Sequence, residues 1–264
     1  MKLLAFDTST EQLSIAVQHG DAVWHYQGVG GAQASTQLIP KIHVLLQQAQ
    51  LRVSDLQGIA FGAGPGAFTG LRAACAVAQG LAFAHDCPVL PINTLHAMAY
   101  QLHVDEGVDS VLAVLDARMD EVYWQAFDFS SGTQSGTQAG IQSVTQHHSK
   151  RHLDEPALCA PEEVGSHVRT STSVVGNAWA VYGERLGQHP PKHNRHALPD
   201  ARVMLGLAAQ MLAQGQGVSA EQALPLYVRN KVAQTTAERL AGREALAAEK
   251  DTPSKDAQTV LHAE

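Results

Sequence analysis

The sequence predicts an α/β protein made of two copies of one β-β-β-α-β-α-β-α unit. Three observations predict it. Apolar strands and amphipathic helical stretches follow one another in that order over residues 1–103. An apolar strand ending in aspartate, a polar turn and an alternating strand occur twice, first at Lys2–Val17 and again at Val111–Phe127. A glycine-rich turn, Gly62-Ala63-Gly64-Pro65-Gly66-Ala67-Phe68-Thr69-Gly70, joins a buried strand to a helix of small residues.

In chain order, Lys2–Phe6 reads as a strand ending in Asp7-Thr8-Ser9-Thr10. Leu13–Val17 and Ala22–Tyr26 are strands joined by the hairpin signal His19-Gly20-Asp21. Ser35 or Thr36 caps a helix to about Leu51, with Leu38, Ile39, Ile42, Leu45, Leu46 and Ala49 at helical period and Pro40 within its first turn or so. Ser54-Asp55 caps a short turn, and Ile59–Phe61 is a buried strand. The helix after the glycine turn runs from Leu71 to Ala84 and is capped by Thr69. Its Gly70, Ala74, Ala78 and Ala82 recur every four residues, a stripe that lets another backbone approach closely. Pro88–Ile92 and a helix from Thr94 to about His103 close the first unit.

The second unit opens with Val111–Leu115, Asp116-Ala117-Arg118 and Glu121–Phe127. Ser130–Gly140 reads as a mobile hairpin tip, Gly140–Thr145 as its return strand and His147–Pro161 as irregular. A helix starts at Ala160-Pro161-Glu162-Glu163, and Ser173–Val175 is a strand. His189–Asp200 is a Pro/His-rich linker, and Asp200 caps a helix through Gln214. Leu224–Arg229 is extended. The resulting domains are 1–103, completed by the helix at about 200–215, and 104–199, with an exposed tail over 233–264.

The 264 residues allow two modest cores. No apolar run reaches membrane-spanning length, and Asp7 and Glu11 interrupt the start too early for a signal peptide. Cys75, Cys87 and Cys159 are scattered without ligand spacing, which suits reduced thiols in a cytoplasm. The formal charge of -7, with no basic run, argues against a chain that holds nucleic acid by itself.

A P-loop needs lysine where Thr69-Gly70-Leu71 stands, and the dinucleotide fingerprint would place Ala67 at its third glycine. A tight turn holding a close-packed helix fits better. His147, His148, His152, His193 and His196 lie in polar segments without zinc spacing, so no metal site is expected. No nucleophile elbow occurs. Asp7 and Asp116 both end strands and could face each other across a cleft, holding Mg²⁺ and phosphate. The alternative is two turn-forming aspartates. The absence of glycine after Asp7 suits the backbone poorly to a phosphate.

Four stretches together resemble the bacterial TsaB (YeaZ) family over residues 1–232: Leu4–Ser9, Gly64–Arg72, Leu115–Tyr123 and Pro225–Asn230. The matching signature residues are Asp7, Thr8, Ser9, Gly64, Pro65, Gly66, Thr69, Gly70, Arg72, Asp116, Arg118 and Glu121. The resemblance implies an actin-like ATPase (ASKHA) fold of two βββαβαβα domains. It also implies a non-catalytic subunit of the complex that forms threonylcarbamoyladenosine beside the tRNA anticodon. The implied partners are the transferase TsaD, bound directly, the ATPase TsaE, and tRNA through the complex only. A nucleotide at the complex interface and a homodimer of the isolated chain are open to it.

TsaD proteins carry Asn-His-x-x-x-His after the last strand of the first unit. Here Asn93 is kept, while Thr94 and Met98 take the histidine positions. Many members have His before the first helix, where this chain has Ala34. The implied partner surface comes from the first two helices, on Leu38, Ile42, Leu45, Phe68, Arg72, Ala74 and Ala78. The competing function is an active ATP-dependent kinase or ATPase of the same fold, which would need glycine-rich phosphate loops after Asp7 and in the second unit.

Overall fold

A computed structural model describes residues 1–130, 155–168, 173–187, 191 and 193–229. Residues up to Val228 form one compact unit. The expected hairpin tip and return strand at 130–145 and the tail over 233–264 fall almost wholly outside the described residues.

The first sheet holds β1 (Lys2–Asp7), β2 (Gln12–His19), β3 (Ala22–Val29), β4 (Gly58–Gly64) and β5 (Val89–Asn93), in the order β3-β2-β1-β4-β5. The second holds β6 (Ser110–Arg118), β7 (Glu121–Asp128), β8 (Ala157–Cys159), β9 (Ser173–Val175) and β10 (His193–Arg195), in the order β8-β7-β6-β9-β10. In each sheet the three leading strands pair antiparallel, and the last two add in parallel beside the first. Two sheets with one connectivity are the duplicated actin-like α/β arrangement.

The helices are α1 (Ala34–Gln48), α2 (Phe68–Phe83), α3 (Thr94–Glu106), α4 (Pro161–Val164), α5 (Ala178–Tyr182) and α6 (Ala201–Ala213). Alternation along β1 sorts them onto faces. Leu4 and Phe6 pack with Leu38, Ile42 and Leu45 of α1 and Ala74 and Ala78 of α2. Leu3 and Ala5 face the other way, onto Met204, Leu205 and Ala208 of α6. Along β6, Val111, Ala113 and Leu115 pack on Leu95, Met98 and Leu102 of α3. Leu112 and Val114 pack on Val164 and Ala178. Each closing helix therefore crosses over: α3 leaves the first sheet to cover the second, and α6 returns to cover the first.

Local differences from expectation have plain causes. A short 3-10 turn at Gly31–Gln33 precedes α1, and Thr36 Oγ1 donates to the Gln33 carbonyl at 2.9 Å instead of capping. Pro40 therefore lies inside the helix, in its second turn, on an exposed side where water can reach the carbonyl it leaves free. Ala67, not Thr69, is the N-cap of α2. Helix α3 runs past His103 to Glu106 because Asn93 Oδ1 accepts from the backbone N–H groups of Leu95 and His96 and Gly107 closes the end at φ 67°. Two segments read as irregular contain the strands β8 and β10. No helix among the described residues is long and apolar enough to cross a membrane.

Candidate functional site

The signature residues of the two units gather at the carboxyl ends of β1, β4 and β6, where open α/β sheets place ligands. Asp7, Thr8 and Ser9 are buried, Asp7 at 1% exposure. The turn after β4 lies directly on them. Ala67 donates its backbone N–H to the Ser9 carbonyl at 2.7 Å, and Thr8 Oγ1 donates to the Gly70 carbonyl at 2.7 Å.

Glycine is what allows this approach. A Cβ on Gly62 would collide with Asp7 Oδ2, and one on Gly70 with the Thr8 carbonyl oxygen. A Cβ on Gly66 would also collide with the Ser9 carbonyl oxygen. The glycines thus form the tight turn expected, packed closely on the turn after β1. Asp7 Oδ1 accepts from both the N–H and the hydroxyl of Ser9, at 2.8 and 2.7 Å. Its Oδ2 is buried, with no hydrogen-bond partner among the described residues. Burial outweighs the Ser9 bonds and pushes the carboxyl up to about 6.

Asp116 is engaged in a different way. Its Oδ1 accepts from the Arg118 N–H at 2.8 Å and from the Tyr182 hydroxyl at 2.9 Å, while Oδ2 pairs with Arg118 at 2.9 Å. Burial, then the bond to Asp116, pushes the Tyr182 phenol up to about 12. Arg118, Met119 and Asp120 all take left-handed backbone conformations, with φ of 61°, 58° and 62°. Arg185 holds this tight turn by donating two bonds to the Asp120 carboxylate, each 2.7 Å. Tyr182 and Arg185 carry no sequence spacing that links them to Asp116 and Asp120. Glu121 begins β7, and its carbonyl accepts from Tyr182 at 3.4 Å. Asn177 spans the two units, donating to Glu11 at 3.3 Å and accepting from the Asp116 N–H at 2.8 Å.

At the start of α3, Thr94 is buried and donates to the Ser9 hydroxyl at 3.4 Å. Met98 is buried in the core against β6. His96 stacks on Phe127 with centroids 5.2 Å apart, and burial pushes its imidazole down to about 4. Among the described residues no group of three His, Cys, Asp or Glu side chains could hold a metal ion. His147, His148 and His152 lie outside them.

The expected partner surface needs correction residue by residue. Leu38, Ile42 and Leu45 are 0%, 1% and 4% exposed, and Ala74 and Ala78 are fully buried. They face the first sheet because they are the apolar stripe of each helix. The small-residue row brings α2 close to its own sheet, not to another chain. Phe68 and Arg72 do lie at the surface side of α2. Arg72 sits over the Phe68 ring, 4.1 Å from its centroid, and its Nε donates to the Tyr227 hydroxyl at 3.2 Å. Tyr227 stands in the motif at Pro225–Asn230, so a signal for it existed. The outward apolar groups of these helices are Ile39 and Val44 on α1 and Phe83, 72% exposed, at the end of α2. Sequence reading left them off the partner surface, and it counted Ile39 with the helical stripe of α1.

Comparison with known proteins gives one consistent picture. The family model of TsaD, tRNA N6-adenosine threonylcarbamoyltransferase, matches residues 28–246. The tRNA threonylcarbamoyladenosine biosynthesis protein TsaB of Haemophilus influenzae is 34% identical over 245 residues, covering 92% of this chain and 99% of that one. The TsaB of Escherichia coli is 32% identical over 240 residues, covering 88% and 96%. The solved structure of YeaZ from Pseudomonas aeruginosa superposes with a TM-score of 0.70 at 37% identity, covering 86% of this chain and all of that one.

Proposed function

Because the chain belongs to the TsaB (YeaZ) family, within the span of the TsaD family model, we propose that it is a non-catalytic scaffold of tRNA threonylcarbamoyladenosine formation. In this reading it binds and activates TsaD, TsaE joins the assembly, and tRNA is reached only through the complex. The observation that carries the reading is the sealed Asp7 turn. The turn after β4 is held against the turn after β1 at hydrogen-bond distance, which supports a structural use of these residues. Thr94 and Met98, where TsaD has metal-binding histidines, are spent on internal packing. A nucleotide in the complex would then be held mainly between subunits and not by Asp7.

Docking belongs to the outward sides of α1 and α2, through Ile39, Val44, Arg72 and Phe83. The same sides would pair two copies when TsaD is absent. The test is capture of TsaD by variants at these exposed positions. Phe83→Glu and Val44→Glu should each weaken TsaD binding at least tenfold while leaving the thermal midpoint within about 2 °C. Full retention of binding in the double variant would contradict the docking face. Steady ATP turnover by the purified chain alone would favour the kinase or ATPase reading.

A further inference from the structure

Strand β3 forms an outer edge of the first sheet, and only half of its backbone is used there. The Gly30 N–H donates to the Glu11 carbonyl at 2.8 Å, one step beyond the pair Gln12–Val29. Antiparallel ladders alternate, so β2 takes the backbone groups of Trp24, Tyr26 and Gly28. Those of Val23, His25, Gln27 and Val29 point away from β2, and among the described residues no strand pairs with them.

Folded chains normally blunt such edges. The other three sheet edges here are short or covered. Val218 meets β5 and exchanges two backbone hydrogen bonds with Val89, both 2.9 Å. Strands β8 and β10 are three residues long. By contrast, β3 runs for eight residues in unbroken register with β2, without proline or a charged side chain. Lys41 of α1 is drawn over its own Tyr26 ring, 4.4 Å from the centroid. Val23 and Val29 are 44% and 66% exposed. A long edge of this kind is a template for another strand.

The residues of β3 identify which strand fits. Opposed residues of an antiparallel pair share a face, and two copies related by a two-fold axis set a strand against its own reverse. With the axis at Tyr26, Val23 stands opposite Val29, Trp24 opposite Gly28 and His25 opposite Gln27. Valine meets valine, the bulkiest side chain meets the residue that has none, and no like charges meet. The outward backbone groups also fall into hydrogen-bonded pairs, Val23 with Val29 and His25 with Gln27. An axis at His25 would instead set Val23 against Gln27, Trp24 against Tyr26 and two imidazoles together.

We propose that β3 is a self-pairing edge. Two copies of this chain join β3 to β3, antiparallel about Tyr26, and so fuse their five-stranded sheets into one. The pairing uses none of Ile39, Val44, Arg72 and Phe83, so it does not rest on the docking reading.

The experiment is sedimentation velocity of the full chain from about 1 to 200 µM, where a reversible monomer–dimer equilibrium is expected. Val23→Lys and Val29→Lys, both at exposed positions, should each weaken it at least tenfold. The double variant Val44→Glu with Phe83→Glu should leave it within about twofold. Register is read by cross-linking in chains that also carry Cys159→Ser. Val23→Cys mixed with Val29→Cys should form a disulfide-linked pair on mild oxidation, because opposed Cα atoms of a hydrogen-bonded pair lie within disulfide range. Neither cysteine variant should do so alone. A monomer at every concentration would overturn the proposal. So would a dimer that both lysine variants leave unchanged, a dimer abolished by the helix double variant, or a mixture that cross-links no better than either variant by itself.

Discussion

Asp7 shows how one residue type can keep its place while its chemistry is withdrawn. Its carboxyl rises from 3.8 to about 6 because burial opposes the charge, and Ser9 recovers only part of that. The folded chain therefore binds this proton more tightly than the unfolded one. Stability from it is full below about pH 4 and is lost as the pH rises through 6. Asp7→Asn keeps the acceptor for Ser9 and removes the titration. In denaturant melts, the difference between wild type and variant should change in favour of the variant by about 2 kcal/mol between pH 4 and pH 7.5. A flat difference would mean the carboxyl is solvated.

Gly70 gives a second test at this scale. Gly70→Ala drives a Cβ into the Thr8 carbonyl, and the helix cannot shift without breaking the Thr8–Gly70 bond, so a loss of about 3 kcal/mol is expected in the same melts. The sequence made the glycines and aspartates visible as a set. It did not reveal that one group sits on the other, because close approach is a property of two distant turns.

At the scale of elements, periodicity was readable where helices and strands were long. The stripes of α1, α2 and α6 were found, and so was the cap Asp200. Periodicity identifies the buried face, however, and the same pattern was assigned outward on Leu38, Ile42, Leu45, Ala74 and Ala78. Strands β8 and β10, three residues each, carry no alternation to detect and are held by neighbours they pair with. The β6–β7 turn was legible only as polar residues. Its three successive left-handed conformations come from tertiary clamping by Arg185. Met119 is 51% exposed. Met119→Gly should raise stability by about 1 kcal/mol in thermal melts, since glycine adopts this conformation without the Cβ clash. A loss would mean that the Met119 side chain is used.

For the whole molecule, the duplicated order of strands and helices was written twice in the chain, and the two sheets repeat it. The sequence reading sent the helix at about 200–215 to the first unit, but α3 looks like the ordinary end of its own unit, so its packing on the second sheet was harder to see. That exchange of closing helices joins the halves through four packed faces and leaves the outer sides of α1 and α2 as the accessible helical surface of the first unit. The central claim is that this chain contributes a folded surface, not a reacting group. It is tested most directly by threonylcarbamoyladenosine formation with TsaD, TsaE, tRNA and substrates, comparing wild type, Asp7→Asn and no added chain. The account predicts loss of product without the chain and a rate with Asp7→Asn within about twofold of wild type. A hundredfold fall in rate with a folded, TsaD-binding Asp7→Asn would make Asp7 a reacting group and contradict it.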